Sequence, residues 1–345
     1  MEVDVNVILT GDTLDKIKII PDNSIRCIIT SPPYFGLRDY GMEGQIGQEK
    51  TPELYIQSLV DVFRECRRVL RKDGTLWVNI GDSYAANRTY QVKNTIGSSD
   101  HTYSPGSRIP SGMKQKDLMG IPWMLAFALR SDGWYLRSDI IWAKKNCMPE
   151  SVKDRPTRSH EYMFLLTKSP KYFYNGDAIK EPAIYDVDGT GTASRKARQK
   201  DDNKSMPAGF KDASNHNGKH SDKQRGHSRR HNGFNDLWDK MTTEEQCTGM
   251  RNKRDVWSVA TAQFPDAHFA VFPEELIYPC MLAGSEQGDI VLDPFLGSGT
   301  TALLANKLGR NYIGIELNPE YAAMAEKRIK DYSGIFNEQK LLNIY

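Results

Sequence analysis

The chain has no apolar run approaching the ~18–20 residues that would span a bilayer, so no membrane segment is expected. Its first residues, Met1-Glu2-Val3-Asp4, lack the basic-then-apolar pattern of a secretory signal. Cysteine is scarce: five residues, at 27, 66, 147, 247 and 280, odd in number and without a C-x-x-C pair. That argues against a disulfide framework or zinc ribbon and for a reducing compartment. These absences predict a cytoplasmic protein. No internal repeat is visible. What remains is ordinary globular composition, 39% hydrophobic and 26% charged over 345 residues, enough for one large α/β domain with an added module.

Charge is unevenly placed. Between Ser194 and His231 eleven Lys/Arg face four Asp/Glu, a local +7 in a chain whose net charge is +2. A polyanionic partner or a solvated loop both account for this. His216, His220, His227 and His231 fall there at i, i+4 spacing, but Asn217, Gly218 and Ser228 oppose a helix, so no metal is expected.

The hydrophobic pattern predicts strands at Val5–Leu9, Arg26–Thr30, Thr75–Ile80, Trp134–Ala143, His160–Lys168, Asp289–Asp293 and Asn311–Glu316. Helices are predicted at Thr13–Ile19, Glu53–Leu70, Ile121–Arg130, Pro273–Gly284, Thr300–Leu308 and Pro319–Ile335, with Asp73-Gly74 ending the second. The short return into His160–Lys168 suggests an antiparallel pair. Residues 35–50 read as a loop over the sheet edge or mouth, and 83–116 as a long polar loop. The regularity is lost from about Gly176 to Asp255. The predicted domains are therefore a catalytic half at 1–175, an inserted basic recognition region at 176–255 and a cofactor half at 256–345.

Two stretches carry chemistry. In Thr30-Ser31-Pro32-Pro33-Tyr34, a buried strand meets two prolines that forbid both ladder and helix, leaving a stiff corner with one hydroxyl and one ring. Ligands of open α/β sheets bind outside such strand ends. The second, Asp293-Pro294-Phe295-Leu296-Gly297-Ser298-Gly299-Thr300, joins a strand to a helix. Its glycines allow close backbone approach, but it is not the G-x-G-x-x-G pyrophosphate fingerprint, and its leading carboxylate suits a cationic ligand. Glu316 ends the next strand, where an acid reads ribose hydroxyls. A ligand with an amino group, a ribose and no phosphate is S-adenosyl-L-methionine. If Asn311–Glu316 lies beside Val5–Leu9, Asp12 falls next to this site, as an acceptor for adenine or as the N-cap of Thr13–Ile19.

With TGD at 10–12, TSPPY at 30–34, GTLWVNIGD at 74–82, RNKRDVW at 251–257, HFAVFPEEL at 268–276, DPFLGSGTT at 293–301 and GIELNPEY at 314–321, the sequence resembles the DNA amino-methyltransferases, specifically their permuted β-group. The TSPPYFGLRDYG and MPESVKDRPTRSHE stretches are similar to a bacterial and phage subgroup. The resemblance implies a Rossmann-like, mostly parallel sheet with one antiparallel strand, circularly permuted. It implies methyl transfer to the exocyclic amine of a flipped base, within which a Ser at the first motif position leans toward N4 of cytosine and an Asp toward N6 of adenine. Ser31 and the Pro32 carbonyl would accept from the amine, with Pro33 stiffening the corner and Tyr34 stacking on the base. Phe295 would pack on the cofactor and Phe272-Pro273 close over its methionine end, though Phe272 suits the core as well. Pro294, Gly297, Ser298, Gly299, Thr300 and Asn318 would complete that site. No cysteine nucleophile is needed. Arg155, Arg158, Arg251, Lys253 and Arg254 are candidate DNA contacts. A cognate restriction endonuclease and a homodimer are possible partners by the same resemblance. An RNA or protein-glutamine methyltransferase, or a binding module without catalysis, are the rival classes.

Overall fold

The computed structural model describes residues 4–37, 41, 42, 44–85, 113–147, 149–182, 250–261 and 272–342. The basic stretch with its four histidines, most of the 83–116 loop, and 268–271 lie outside them. The chain divides into two units, Met1–Ile179 with Arg254–Tyr345, and Lys180–Lys253.

In the larger unit the described residues form one eight-stranded sheet in the order β1-β10-β9-β2-β3-β5-β4-β8. The strands are β1 Val7–Thr10, β2 Ile25–Thr30, β3 Leu70–Ile80, β4 Tyr135–Lys144, β5 His160–Thr167, β8 Val256–Val259, β9 Ile290–Asp293 and β10 Asn311–Glu316. Only β5 runs against its neighbours, pairing antiparallel with both β3 and β4. The N-terminal strand lies parallel to the last one, with Thr10 opposite Glu316. The sheet is thus continuous across the chain's two ends.

Helices cover both faces. They are α1 Thr13–Lys16, α2 Pro52–Val69, α3 Ile121–Ser131, α4 Glu274–Gly284, α5 Thr300–Lys307 and α6 Pro319–Leu342. Because both faces are covered, β2 is buried along its whole length, and its residues are apolar apart from Arg26 and the terminal Thr30. Its side chains alternate between the two cores, Ile28 with α2 and α3, and Cys27 and Ile29 with α4 and α5. Helix α2 begins with Pro52, after Thr51, whose hydroxyl accepts from the Leu54 N–H. Its stripe of Tyr55, Leu59, Val62, Phe63 and Cys66 is fully buried, at roughly 1.5–3 kcal/mol for each large apolar side chain.

The structure corrects three readings. Helix α2 stops at Val69, and Asp73-Gly74 is no helix-ending turn but lies inside the 11-residue strand β3. The register against β2 shifts there, between Ile25 and Cys27. Arg26 explains the detour, since it pairs with Asp73 at 2.5 Å and with Asp289 at 3.2 Å. The predicted helix Thr13–Ile19 is one α turn followed by a 3₁₀ turn, Ile17–Ile19. Strand β8, in a half-buried alternating stretch, was not legible in the pattern and pairs parallel with β4.

In the smaller unit, the two-residue strands β6 Glu181–Pro182 and β7 Met250–Arg251 pair antiparallel, with Arg251 ion-paired to Glu181 at 2.9 Å.

Candidate active site

Strand order reverses between β9 and β2. The β9–α5–β10 connection leads to one side and β2–α2–β3 to the other. A cavity of about 170 Å³ opens at this point, outside the carboxyl ends of β1, β10, β9 and β2. Its wall contains Asp12, Ser31, Pro32, Pro33, Tyr34, Phe272, Pro294, Phe295, Gly297, Ser298, Thr300, Glu316 and Asn318. Two stretches that begin 262 residues apart in sequence, at Ser31 and Asp293, meet here because β2 and β9 are neighbours, with Ile28 opposite Leu292.

On the β10 side, Glu316 organises the loops. Its carboxylate accepts from the Gly297 N–H at 2.7 Å and from the Asn318 N–H at 2.8 Å. Burial raises its pKa while those two N–H groups oppose the rise. Asp12 accepts from the Asp15 N–H at 3.2 Å, so it does cap α1, while its side chain still borders the cavity. The Thr13 hydroxyl, which sequence reasoning passed over, donates to the Pro294 carbonyl at 2.8 Å and ties the β1 loop to the β9 loop.

Asp293 is placed differently from the expectation. It is 2% exposed and lies behind the cavity wall. Thr30 donates to it at 2.6 Å, Thr301 at 2.7 Å and the Phe295 N–H at 3.0 Å. It clamps the end of β2 to the start of α5 instead of facing a cationic ligand. Desolvation pushes its pKa up to about 6 against the pull of these donors. Gly299 and Pro273 are likewise absent from the wall. Gly299 has φ +85°, and a Cβ there would meet Ala325 at 2.6 Å, so it serves the packing of α6. Pro273 caps α4. Arg328 of α6 donates to the carbonyl of Ser298 and, at 2.9 Å, to its hydroxyl.

On the β2 side, the corner is held from three directions. Tyr55 of α2 donates to the Pro33 carbonyl at 2.7 Å. Gly47, at φ +103°, brings the following loop so close that a Cβ would stand 3.0 Å from the Tyr34 carbonyl. That loop adds Gln45 and Ile46 to the wall. The Tyr34 phenol donates to Glu161 Oε2 at 2.6 Å, and burial beside that carboxylate holds its pKa well above the usual tyrosine range. Glu161 also receives Lys144 and, at 3.3 Å, the Asn79 amide. The sequence signals for Glu161 were a charge near the start of an apolar strand and its place at the end of the MPESVKDRPTRSHE stretch.

Of the candidate DNA arginines in the larger unit, Arg155, Arg158 and Arg254 do not line the cavity. Arg155 pairs with Glu150 at 2.6 Å and sits 3.9 Å over the Tyr84 ring. Arg158 donates to the Asp82 carbonyl. Arg251 is bound to Glu181, and the Arg254 carbonyl accepts from Trp257 at 2.6 Å. Lys253 belongs to the smaller unit. Among the described cysteines Cys27, Cys66 and Cys280 are buried, and desolvation lifts the Cys27 thiol to about 12 and raises that of Cys66, which suits structural and not nucleophilic thiols.

The chain is similar to known proteins. A DNA methylase family model for N6-adenine and N4-cytosine enzymes matches residues 25–327. The type II methyltransferase M.Cfr9I of Citrobacter freundii is 43% identical over 96% of this chain and 89% of its own. M.XycI of Xanthomonas campestris pv. cyanopsidis is 45% identical over 94% and 88%. Among solved structures, PvuII DNA methyltransferase (cytosine-N4-specific) aligns with a TM-score of 0.58 at 16% identity, over 97% of this chain and 94% of its own. A putative DNA modification methylase of Thermus thermophilus, solved with S-adenosyl-L-methionine, aligns at 0.52 and 22% identity, over 93% and 92%. The last two share the fold. The family match spans the β2, β9 and β10 ends that line the cavity, and the chain belongs to the DNA methylase family of N4-cytosine and N6-adenine DNA methyltransferases.

Proposed function

We propose that this protein methylates N4 of cytosine in DNA, taking the methyl group from S-adenosyl-L-methionine bound at the β1, β10 and β9 ends and presenting the base at Ser31. The single observation that carries the reading is one cavity lined by both the Ser31 corner and the Glu316 loops. The donor set suits the cofactor. Thr300 Oγ1, at the start of α5 on the cavity wall, is buried without a protein partner, and a ligand's carboxylate would accept from it. Glu316 supports the ribose and Phe295 the flat adenine. Asp293 holds the wall in place from behind. When bound, the cofactor supplies a methyl group on a cationic sulfur.

An exocyclic amine is a weak nucleophile because its lone pair is shared with the ring. Ser31 Oγ and the Pro32 carbonyl each accept one N–H, which leaves the nitrogen lone pair directed across the cavity. They also stabilise the positive charge that develops on it. The prolines prevent the acceptors from turning away. Tyr34 offers its ring to the extruded base. Ser31 is neutral, and this is the feature that favours cytosine over adenine. The order of the motifs, Ser31 corner first and Asp293 loop last, supports placing the chain in the permuted β-group.

The test is direct. Unmethylated DNA is incubated with the protein and S-adenosyl-L-methionine, digested, and its nucleosides are separated by mass spectrometry. N4-methyldeoxycytidine is the expected product. N6-methyldeoxyadenosine would overturn the choice of base, and no methylated nucleoside would overturn the reading.

A further inference from the structure

Behind the Ser31 corner runs a chain of polar groups that the methyl transfer itself does not use. Tyr34 donates to Glu161 at 2.6 Å. Lys144, on β4, closes an ion pair on the other Glu161 oxygen. The pair is largely shielded, with side-chain exposures of 22% for Lys144 and 13% for Glu161. Asn79 of β3 donates to Glu161 at 3.3 Å and to the Tyr162 carbonyl at 3.0 Å. Gly81 leaves room for the arrangement, since a Cβ there would stand 2.8 Å from the Tyr34 ring and 3.2 Å from the Glu161 carboxyl carbon. These groups come from three strands, and they converge on one phenol.

Resting on the reading of Tyr34 as the stacking surface for the target base, we propose that Glu161, held by Lys144, is a positioning residue that acts on the target base through Tyr34. Proton direction links these groups. A carboxylate ion can only accept, so the Tyr34 proton is committed to Glu161. The same bond fixes the far end of the Tyr34 ring, so the stacking surface is set before a base arrives. Lys144 holds the Glu161 carboxylate in place through their ion pair.

Two variants and their combination test this. Methyl uptake is measured on unmethylated phage genomic DNA, with the Kd for S-adenosyl-L-methionine from calorimetry as the check on folding. Tyr34→Phe keeps the ring and removes the phenol. Glu161→Ala removes the acceptor. Each is expected to lower kcat by about 10- to 100-fold, the range for one hydrogen bond to a charged group, with the cofactor Kd within about twofold. Because Glu161 acts through the phenol, Glu161→Ala in the Tyr34→Phe background should cost less than about threefold more. Glu161→Gln, whose amide oxygen still accepts, should recover part of the loss and replaces the alanine variant if that one fails to fold. Wild-type kcat in Tyr34→Phe, or fully additive losses in the double variant, would overturn the inference. Absence of methyl uptake by the wild-type protein would overturn the underlying reading instead.

Discussion

The two sides of the cavity are built by different physics. On the β1–β10–β9 side, acids hold the structure. Glu316, Asp293 and Asp12 each accept from backbone N–H groups or hydroxyls and so fix the loops that line the wall. On the β2 side, the corner is stiff because Pro32 and Pro33 leave the backbone little freedom. It is buttressed by Tyr55 on the Pro33 carbonyl and Glu161 on the Tyr34 phenol. The difference teaches that binding and chemistry can be perturbed separately. A carboxylate lost on the first side loosens a loop, whereas a hydroxyl lost on the second removes an acceptor and leaves the frame standing.

The largest effect expected on the first side is from Glu316→Ala. It removes two charge-assisted bonds and a ligand contact, and should weaken S-adenosyl-L-methionine binding by about 100-fold in calorimetry, with kcat at saturating cofactor little changed. A normal Kd with a lost kcat would erase the contrast between the sides.

Asp293 gives the next effect, in stability. Its folded pKa is raised to about 6 from an ordinary value of 3.8, so the folded protein binds the proton more tightly than the unfolded chain does. Its contribution is therefore most favourable below the unfolded value and is lost as pH rises through about 6. Asp293→Asn cannot titrate. Urea unfolding should show the wild type losing roughly 2–3 kcal/mol relative to this variant between about pH 4 and pH 7. A difference that does not move with pH would contradict the burial of a charge at this position.

The smallest effect is expected for Arg155→Ala. Its guanidinium is already engaged by Glu150 and Tyr84, so DNA affinity should fall less than about threefold and the salt dependence of binding should keep its slope. A slope reduced by about one would make Arg155 a phosphate contact.

Much of this frame was legible because its signals are local. The proline pair after a β-branched run stops β2 at Thr30, where the structure ends it. The apolar runs also gave the β10 boundaries unchanged, and the acids at two strand ends made it reasonable to set Asn311–Glu316 beside the N-terminal strand, where Thr10 pairs with Glu316. What failed depended on partners distant in sequence. Asp293 read as a ligand-facing charge, because nothing local shows that Thr30, 263 residues earlier, turns its carboxylate inward. Asp73-Gly74 read as a turn, because the pull of Arg26 on Asp73 is invisible without the sheet. Gly299 read as a ligand glycine although its neighbour is Ala325 of α6. Glu161 closes the MPESVKDRPTRSHE stretch, but nothing in that stretch ties it to Tyr34, and Lys144, on another strand, carried no motif.

The measurement that bears most directly on the division of labour is Ser31→Ala, with S-adenosyl-L-methionine affinity and methyl transfer to DNA recorded on the same preparation. Removing the acceptor should reduce transfer by roughly 100-fold or more, in the range of losing one transition-state hydrogen bond, and leave the cofactor Kd within about twofold. Transfer at the wild-type rate, or a loss of cofactor binding that matches the loss of transfer, would contradict it.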